Sequence, residues 1–281
     1  MPDLALILPH RREGWLRRHK TPHATRKESD RVTFDLLTLA ALGVVGLVAG
    51  FVDAIAGGGG LITVPALLSA GLPPVAAFGT NKVQSVIGTT IATATYWRRG
   101  YVDLRALLPA ILATFVGAFV GAATVKAIDT ATLSLAVPVA LILVAGYFTF
   151  APRLTDADSH SRLQFSLFVP LMGFVVGYYD GILGPGTGSF FTMGFVTLFG
   201  LGLTRAAGHT KALNLVSNLG ALALFIPSGD VVWPVAAVMA IGQIAGGYLG
   251  AVTGIRFGAR LIRPMVIAIS VILALRLLLF R

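Results

Sequence analysis

Charge is nearly absent from most of this chain, and that scarcity constrains its fold more than any motif does. Residues 1–31 hold eight Lys/Arg and four Asp/Glu; the remaining 250 residues carry only 22 charges, and no glutamate follows Glu28. Charged residues make up 12% of the whole and hydrophobic residues 56%, against about 25% charged in an average soluble domain. A body this poor in charge cannot cover a globule with polar groups. It suits a helical bundle whose outer surface is lipid. The net charge of +10 does not point to nucleic acid, because the Lys and Arg residues lie in the tail and in short connections instead of clustering on one exposed face. With no cysteine in the chain, disulfides, thiolate catalysis and Cys-ligated metal centres are excluded.

The apolar body divides into ten segments, roughly 34–56, 60–71, 75–97, 105–127, 131–150, 164–183, 186–203, 208–227, 231–254 and 263–280. Most reach the ~20 residues that a helix needs to cross a bilayer. The second falls short, and glycines interrupt the seventh. Both follow a glycine cluster, Gly57-Gly58-Gly59-Gly60 and Gly184-Pro185-Gly186-Thr187-Gly188. Trp97, Tyr101 and Trp233 read as interfacial aromatics. The expected fold is an all-α polytopic membrane protein with two homologous halves, each of about four transmembrane helices plus a short broken or re-entrant helix. The expected organisation is a basic cytoplasmic tail over 1–31, a first repeat over 32–150, a connecting loop over 151–163 and a second repeat over 164–281.

The duplication is read from spacing. Gly46, Gly50, Asp53 and Gly57 recur at one constant offset as Gly173, Gly177, Asp180 and Gly184. Gly79, Lys82, Gly117 and Gly121 recur at a second, slightly longer offset as Gly208, Lys211, Gly246 and Gly250. A two-residue insertion in the short segment accounts for the change. Small residues at four-residue spacing, Gly242 through Gly254 and Gly117 with Gly121, predict close helix packing within the bundle, with a homodimer contact as the alternative use. Topology stays open. If the short segments re-enter and the tail is cytoplasmic, Arg98, Arg99 and Arg105 fall inside but Arg256, Arg260 and Arg263 outside; if all ten segments cross, both clusters fall outside. Inverted and parallel repeats are both compatible with the sequence.

Four charges lie deep in the apolar segments: Asp53, Lys82, Asp180 and Lys211. Intramembrane charges are costly, and by default they mark function. Lys82, Ser85 and Thr89 share one helix face at i, i+3 and i+7; Lys211, Asn214 and Asn218 repeat the spacing. Asn81 precedes the first lysine, and His209 lies close before the second. Each lysine stands near a helix start, where unpaired N–H groups and the helix dipole favour an anion. The glycine clusters let a ligand approach the N–H groups of Gly59, Gly60, Gly186 and Gly188. These residues predict a small-anion site between the halves, with Asp53, Asp180 or His209 available for proton coupling or charge pairing. The structural alternative pairs Lys82 with Asp53 and Lys211 with Asp180, pinning each half's broken helix. Motifs for a P-loop, a zincin or a hydrolase nucleophile are absent, so neither catalysis nor a cofactor is expected.

In these residues the chain resembles the TauE/SafE sulfite-exporter family, also called toluene sulfonate uptake permeases. The resemblance rests on Gly50-Phe-Val-Asp53 leading into Gly57–Gly60, then Gly79-Thr80-Asn81-Lys82. It rests equally on Asp180 with Gly184-Pro-Gly-Thr-Gly188, followed by Thr210-Lys211 with Asn214 and Asn218. It spans about residues 36–280. It implies a duplicated carrier in the cytoplasmic membrane and a sulfite, sulfonate or related organosulfur anion as substrate, whereas the lysines and helix starts alone imply only a small anion. The expected function is secondary active transport by alternating access, with an anion channel or a carrier of a non-sulfur carboxylate as alternatives. The bilayer, the anion and protons are the expected partners.

Overall fold

The computed structural model describes residues 34–129 and 156–258, together with Thr132, Arg260, Leu261, Pro264 and Met265. The tail and most of the fifth and tenth apolar segments lie outside the described residues. Among the described residues, α-helices follow in this order: α1 Leu36–Ala56, α2 Gly59–Ser69, α3 Pro74–Arg98, α4 Leu104–Ala127, α5 Phe165–Ile182, α6 Thr187–Thr197, α7 Leu203–Phe225 and α8 Trp233–Phe257. The starts of the helices follow local chemistry. Pro74 occupies the first turn of α3, where its missing N–H costs nothing. Asp103 caps α4 by accepting from the N–H groups of Arg105 and Ala106, both at 3.0 Å. The seventh segment is shorter than its apolar run suggests, because the helix stops at Thr197 before Gly200, whose φ is +69°.

Four helices, α1, α4, α5 and α8, are long and apolar enough to cross a membrane. Their outward faces carry large exposed apolar side chains, among them Val44, Leu112, Phe119, Leu171 and Ile241. The helices α3 and α7 are the interior ones. They pack on each other and carry most of the buried polar residues, from Thr80 to Thr93 on α3 and from His209 to Asn218 on α7. Trp97 and Trp233, two of the expected interfacial aromatics, are both about half exposed at helix ends.

Close contacts fix the direction of each helix. Along α1 and α8, Gly43 meets Val238, Gly50 meets Gln243, and Gly250 meets Phe51, so the two run parallel. The Tyr96 hydroxyl donates to the Ala54 carbonyl at 3.2 Å and lies against Gly254, so α3 runs the same way. Along α4 and α5, Gly173 meets Ala110 and Gly181 meets Ala118 and Ala122; Gly208, Gly220 and Asp230 meet Tyr101, Phe115 and Lys126 in turn. Thus α4, α5 and α7 run together. They run opposite to α3, since Gly79 at its start lies against Phe225 and Asp230 at the end of α7. Because α1 and α3 are parallel, the short α2 carries the chain back between them. A hairpin that would return Arg98 to the end where α1 starts is therefore ruled out, and Arg98 and Arg256 finish at the same end.

The heaviest packing joins helices distant in sequence: α1 lies on α8, and α4 on α5. The described helices form two bundles, one of α1, α2, α3 and α8, the other of α4, α5, α6 and α7. They meet along a seam dominated by α3 against α7. The glycine stripes build these pairs. A Cβ on Gly242 or Gly246 would collide with the α1 backbone, and one on Gly117 or Gly121 with that of α5. Close packing inside the bundle, the first use expected of the stripes, is what the structure shows.

Candidate substrate site

At the seam the chain breaks twice. Between α1 and α2, Gly57 and Gly58 take φ of +69° and +145°; between α5 and α6, Gly184 and Gly186 take +87° and +86°, values that L side chains rarely adopt. The two breaks touch backbone to backbone. A Cβ on Gly57 would stand 2.6 Å from the Gly188 Cα, and one on Gly188 2.7 Å from the Gly57 Cα. Ser189 fastens the contact by donating its hydroxyl to the carbonyls of Ala56, at 3.0 Å, and Gly57. The starts of the two short helices therefore lie side by side.

Each aspartate holds the start of its own short helix and the lysine of the other half. Asp53 accepts from the N–H groups of Gly58 at 3.0 Å and Gly59 at 3.2 Å through Oδ1. Its Oδ2 lies 3.3 Å from Lys211 Nζ, which also donates to the Asp53 carbonyl. Asp180 accepts from the Thr187 hydroxyl at 2.7 Å through Oδ1 and from Lys82 Nζ at 2.6 Å through Oδ2. Lys82, Asp180 and Lys211 are at most 2% exposed and the Asp53 side chain 15%. The expected alternative, Lys82 with Asp53 and Lys211 with Asp180, is thereby corrected: the pairs cross. Parallel packing of α1 with α8, and the opposite run of α3 and α7, bring each lysine to the other half's break.

A small polar cavity occupies this junction. Its walls are Asp53, Gly58, Gly60, Asn81, Ser85, Asp180, Gly184, Gly186, Thr187, Gly188, Asn214 and Asn218. Its volume of about 20 Å³ is close to the space that one water requires on the same measure. Of the residues expected at the site, Asn81, Ser85, Asn214, Asn218, Gly60, Gly186, Gly188 and both aspartates line it. Lys82 and Lys211 stand behind the carboxylates: a Cβ on Gly184 would lie 3.2 Å from Lys82 Nζ, and one on Gly188 3.4 Å from Lys211 Nζ. Gly59 sits against Asp53. Thr89 turns its hydroxyl to the Ser85 carbonyl at 2.7 Å and His209 its Nδ1 to the Arg205 carbonyl at 2.9 Å, with its ring against Phe195; neither lines the cavity. Gly58, Gly184 and Thr187 do not stand out in the sequence as ligand groups, although all three lie within the glycine clusters that mark the site.

The sequence profile described as "Sulfite exporter TauE/SafE" matches residues 42–277. The chain belongs to the TauE/SafE sulfite exporter family. Among its TauE/SafE-like relatives is a "Probable membrane transporter protein ORF9" of Sinorhizobium sp, 45% identical over 240 residues that cover 85% of this chain and 92% of that protein. A probable membrane transporter protein of Haemophilus influenzae is 44% identical over 232 residues, covering 83% and 91%. The Escherichia coli K12 protein YfcA, also named a probable membrane transporter, is 41% identical over 242 residues, covering 86% and 90%. These relatives are named as transporters and not as enzymes, in line with the TauE/SafE assignment. No solved structure matches the chain.

Proposed function

We propose that this TauE/SafE protein is a secondary transporter of the cytoplasmic membrane that carries a small anion, sulfite or an organosulfur anion such as a sulfonate, through the cavity on the seam. The observation that carries the reading is the crossed pair of lysines, each two turns inside α3 or α7 instead of at the helix start expected from the sequence, buried beside a cavity walled by amide, hydroxyl, carboxylate and backbone groups. Opposed helix directions support it: α1 and α5 run in opposite directions, and Lys82 and Lys211 each stand beside one of the two breaks. Inverted halves meeting at broken helices are a recurrent transporter design.

The packing supports alternating access. The moving bodies are the two bundles instead of the two sequence halves, because α8 travels with α1 and α4 with α5. The loops that join the bundles are 99–103 and 226–232, and each contains a glycine in open space at positive φ, Gly100 and Gly229. The ion pairs bridge the seam. Two ammonium and two carboxylate groups leave the site neutral, so an added anion brings an uncompensated charge into low dielectric. Protonation of Asp53 or Asp180 removes that cost and frees a lysine for the anion. Anion and proton therefore move together; His209 is held away from the cavity.

The test is flux of radiolabelled sulfite into proteoliposomes. Lys82→Ala and Lys211→Ala should each lower the initial rate at least tenfold, and an acidified donor side should accelerate the wild type. Saturation with counterflow separates a carrier from a channel. Wild-type flux in both variants would overturn the anion site.

A further inference from the structure

A second cavity, of about 570 Å³, opens at the end of the molecule where α3 and α8 finish, and it shares no lining residue with the cavity on the seam. Its walls come from both bundles. The start of α7 supplies Thr204 and Arg205, the end of α8 supplies Ile255 and Arg256, and the loop before α5 supplies Asp156 and Asp158.

The two carboxylates are already occupied. Asp158 accepts from the Gly202 N–H through Oδ1 and from Arg205 through Oδ2, both at 2.6 Å. Asp156 accepts from the Thr204 N–H and hydroxyl through Oδ1, and its Oδ2 lies where a Cβ on Gly258 would overlap it. Both aspartates therefore serve the start of α7, where negative charge is favoured. Arg256 and Arg260, which also line the cavity, are placed differently. Both are exposed, and neither forms an ion pair among the described residues. The Arg256 guanidinium lies over the ring of Phe257, 5.4 Å from its centroid.

An apolar stripe leads into this cavity along the outside of α8. Ile241, Ile244, Tyr248, Val252 and Ile255 follow one another at steps of three or four residues, so they share one helix face. The first three are exposed, and the last two are half-buried. The face runs about 21 Å, more than the depth of one leaflet, and it ends in the cavity wall one residue before Arg256. A free anion has no use for such a face, whereas an acyl chain does.

We propose that this cavity holds the phosphate group of an anionic phospholipid, gripped by Arg256 and Arg260, with an acyl chain lying along the α8 stripe. Guanidinium groups match phosphate oxygens in bidentate pairs, and basic pockets between transmembrane helices suit anionic headgroups. At the opposite end the cation is already matched: Lys126 pairs with Asp230 at 2.6 Å. The lipid site does not depend on what the seam cavity carries.

The test is lipid retention by the purified full chain in detergent, counted by native mass spectrometry. Phosphatidylglycerol is compared with phosphatidylcholine of the same acyl chains. Wild type should retain a single phosphatidylglycerol under conditions that strip phosphatidylcholine. Arg256→Gln/Arg260→Gln should weaken phosphatidylglycerol binding by at least about tenfold. Arg98→Gln/Arg99→Gln, which removes the same charge from the same end but outside the cavity, should leave it within about twofold. Equal retention of the two lipids by wild type overturns the proposal, and that comparison needs no variant to fold. Equal weakening in both double variants shows only a general attraction between the arginine end and anionic lipid, and overturns the site. An excess of inorganic phosphate should leave the lipid in place; release of the lipid by phosphate assigns the cavity to a free phosphate and overturns the lipid as its occupant. None of these failures touches the transport reading, which sulfite flux tests separately.

Discussion

A buried lysine depends on its partner, and here each partner comes from the other half of the chain. Removing one member of such a pair leaves a buried charge uncompensated, at a cost of about 3–5 kcal/mol. Lys82→Met should destabilise the protein by that order in thermal or denaturant unfolding in detergent. Lys82→Met/Asp180→Leu, which leaves neither charge, should recover most of the stability and none of the sulfite flux. Recovery of flux by the double variant would make the pair a structural pin. The four residues are legible in the sequence, because charge inside apolar segments is rare enough to be noticed singly. Their pairing is not. Proximity in sequence favours Lys82 with Asp53, and the contact between the two breaks with the opposite run of α3 and α7 reverses it.

Among the elements, those with the plainest periodicity are the most readable. The boundaries of α1, α3, α4 and α5 fall within about two residues of the apolar segments 34–56, 75–97, 105–127 and 164–183. The eighth apolar segment starts at 208, whereas α7 starts at Leu203. Its first turn is docked to the loop before α5: Asp156 accepts from the Thr204 N–H at 3.1 Å and its hydroxyl at 2.8 Å, and Asp158 from the Gly202 N–H at 2.6 Å. Two aspartates from a distant loop thus cap a helix that its own sequence does not cap. The glycine stripes make a sharper prediction. Gly246→Ala and Gly121→Ala should each destabilise by about 1–3 kcal/mol through overpacking, because the added carbon meets backbone that cannot retreat. Ile241→Ala, on a 70% exposed face of the same helix as Gly246, should leave the midpoint of detergent unfolding nearly unchanged. Equal loss at all three sites would mean that α1 and α8 are not in backbone contact.

For the whole molecule, the arginines report orientation. Arg98, Arg99, Arg105, Arg162, Arg205, Arg256 and Arg260 gather at the end where α3 and α8 finish. Lys126, paired with Asp230 at 2.6 Å, is the only Lys or Arg at the opposite end among the described residues. Positive charge is retained on the cytoplasmic side, so the arginine end should face the cytoplasm. Since the chain has no cysteine, single substitutions give an unambiguous readout. Arg99→Cys should react with an impermeant maleimide only in inverted membrane vesicles, and Ser228→Cys only in right-side-out cells. Reversed labelling would turn the protein over. Because α1 starts at the Ser228 end, the expected labelling would overturn the cytoplasmic placement that the sequence suggests for residues 1–31.

The crossed packing also sets a schedule for biosynthesis. The partner of α1 is α8, and everything from α2 to α7 is made between them. At about 5–20 residues per second, the ribosome leaves α1 in the bilayer for roughly ten to thirty-five seconds with its glycine face against lipid. Asp53 waits nearly as long for the bundle that encloses its lysine. A chain interrupted before α8 leaves the glycine face of α1 without the helix that it packs on. The two halves, made as separate polypeptides, would find their completion only in each other.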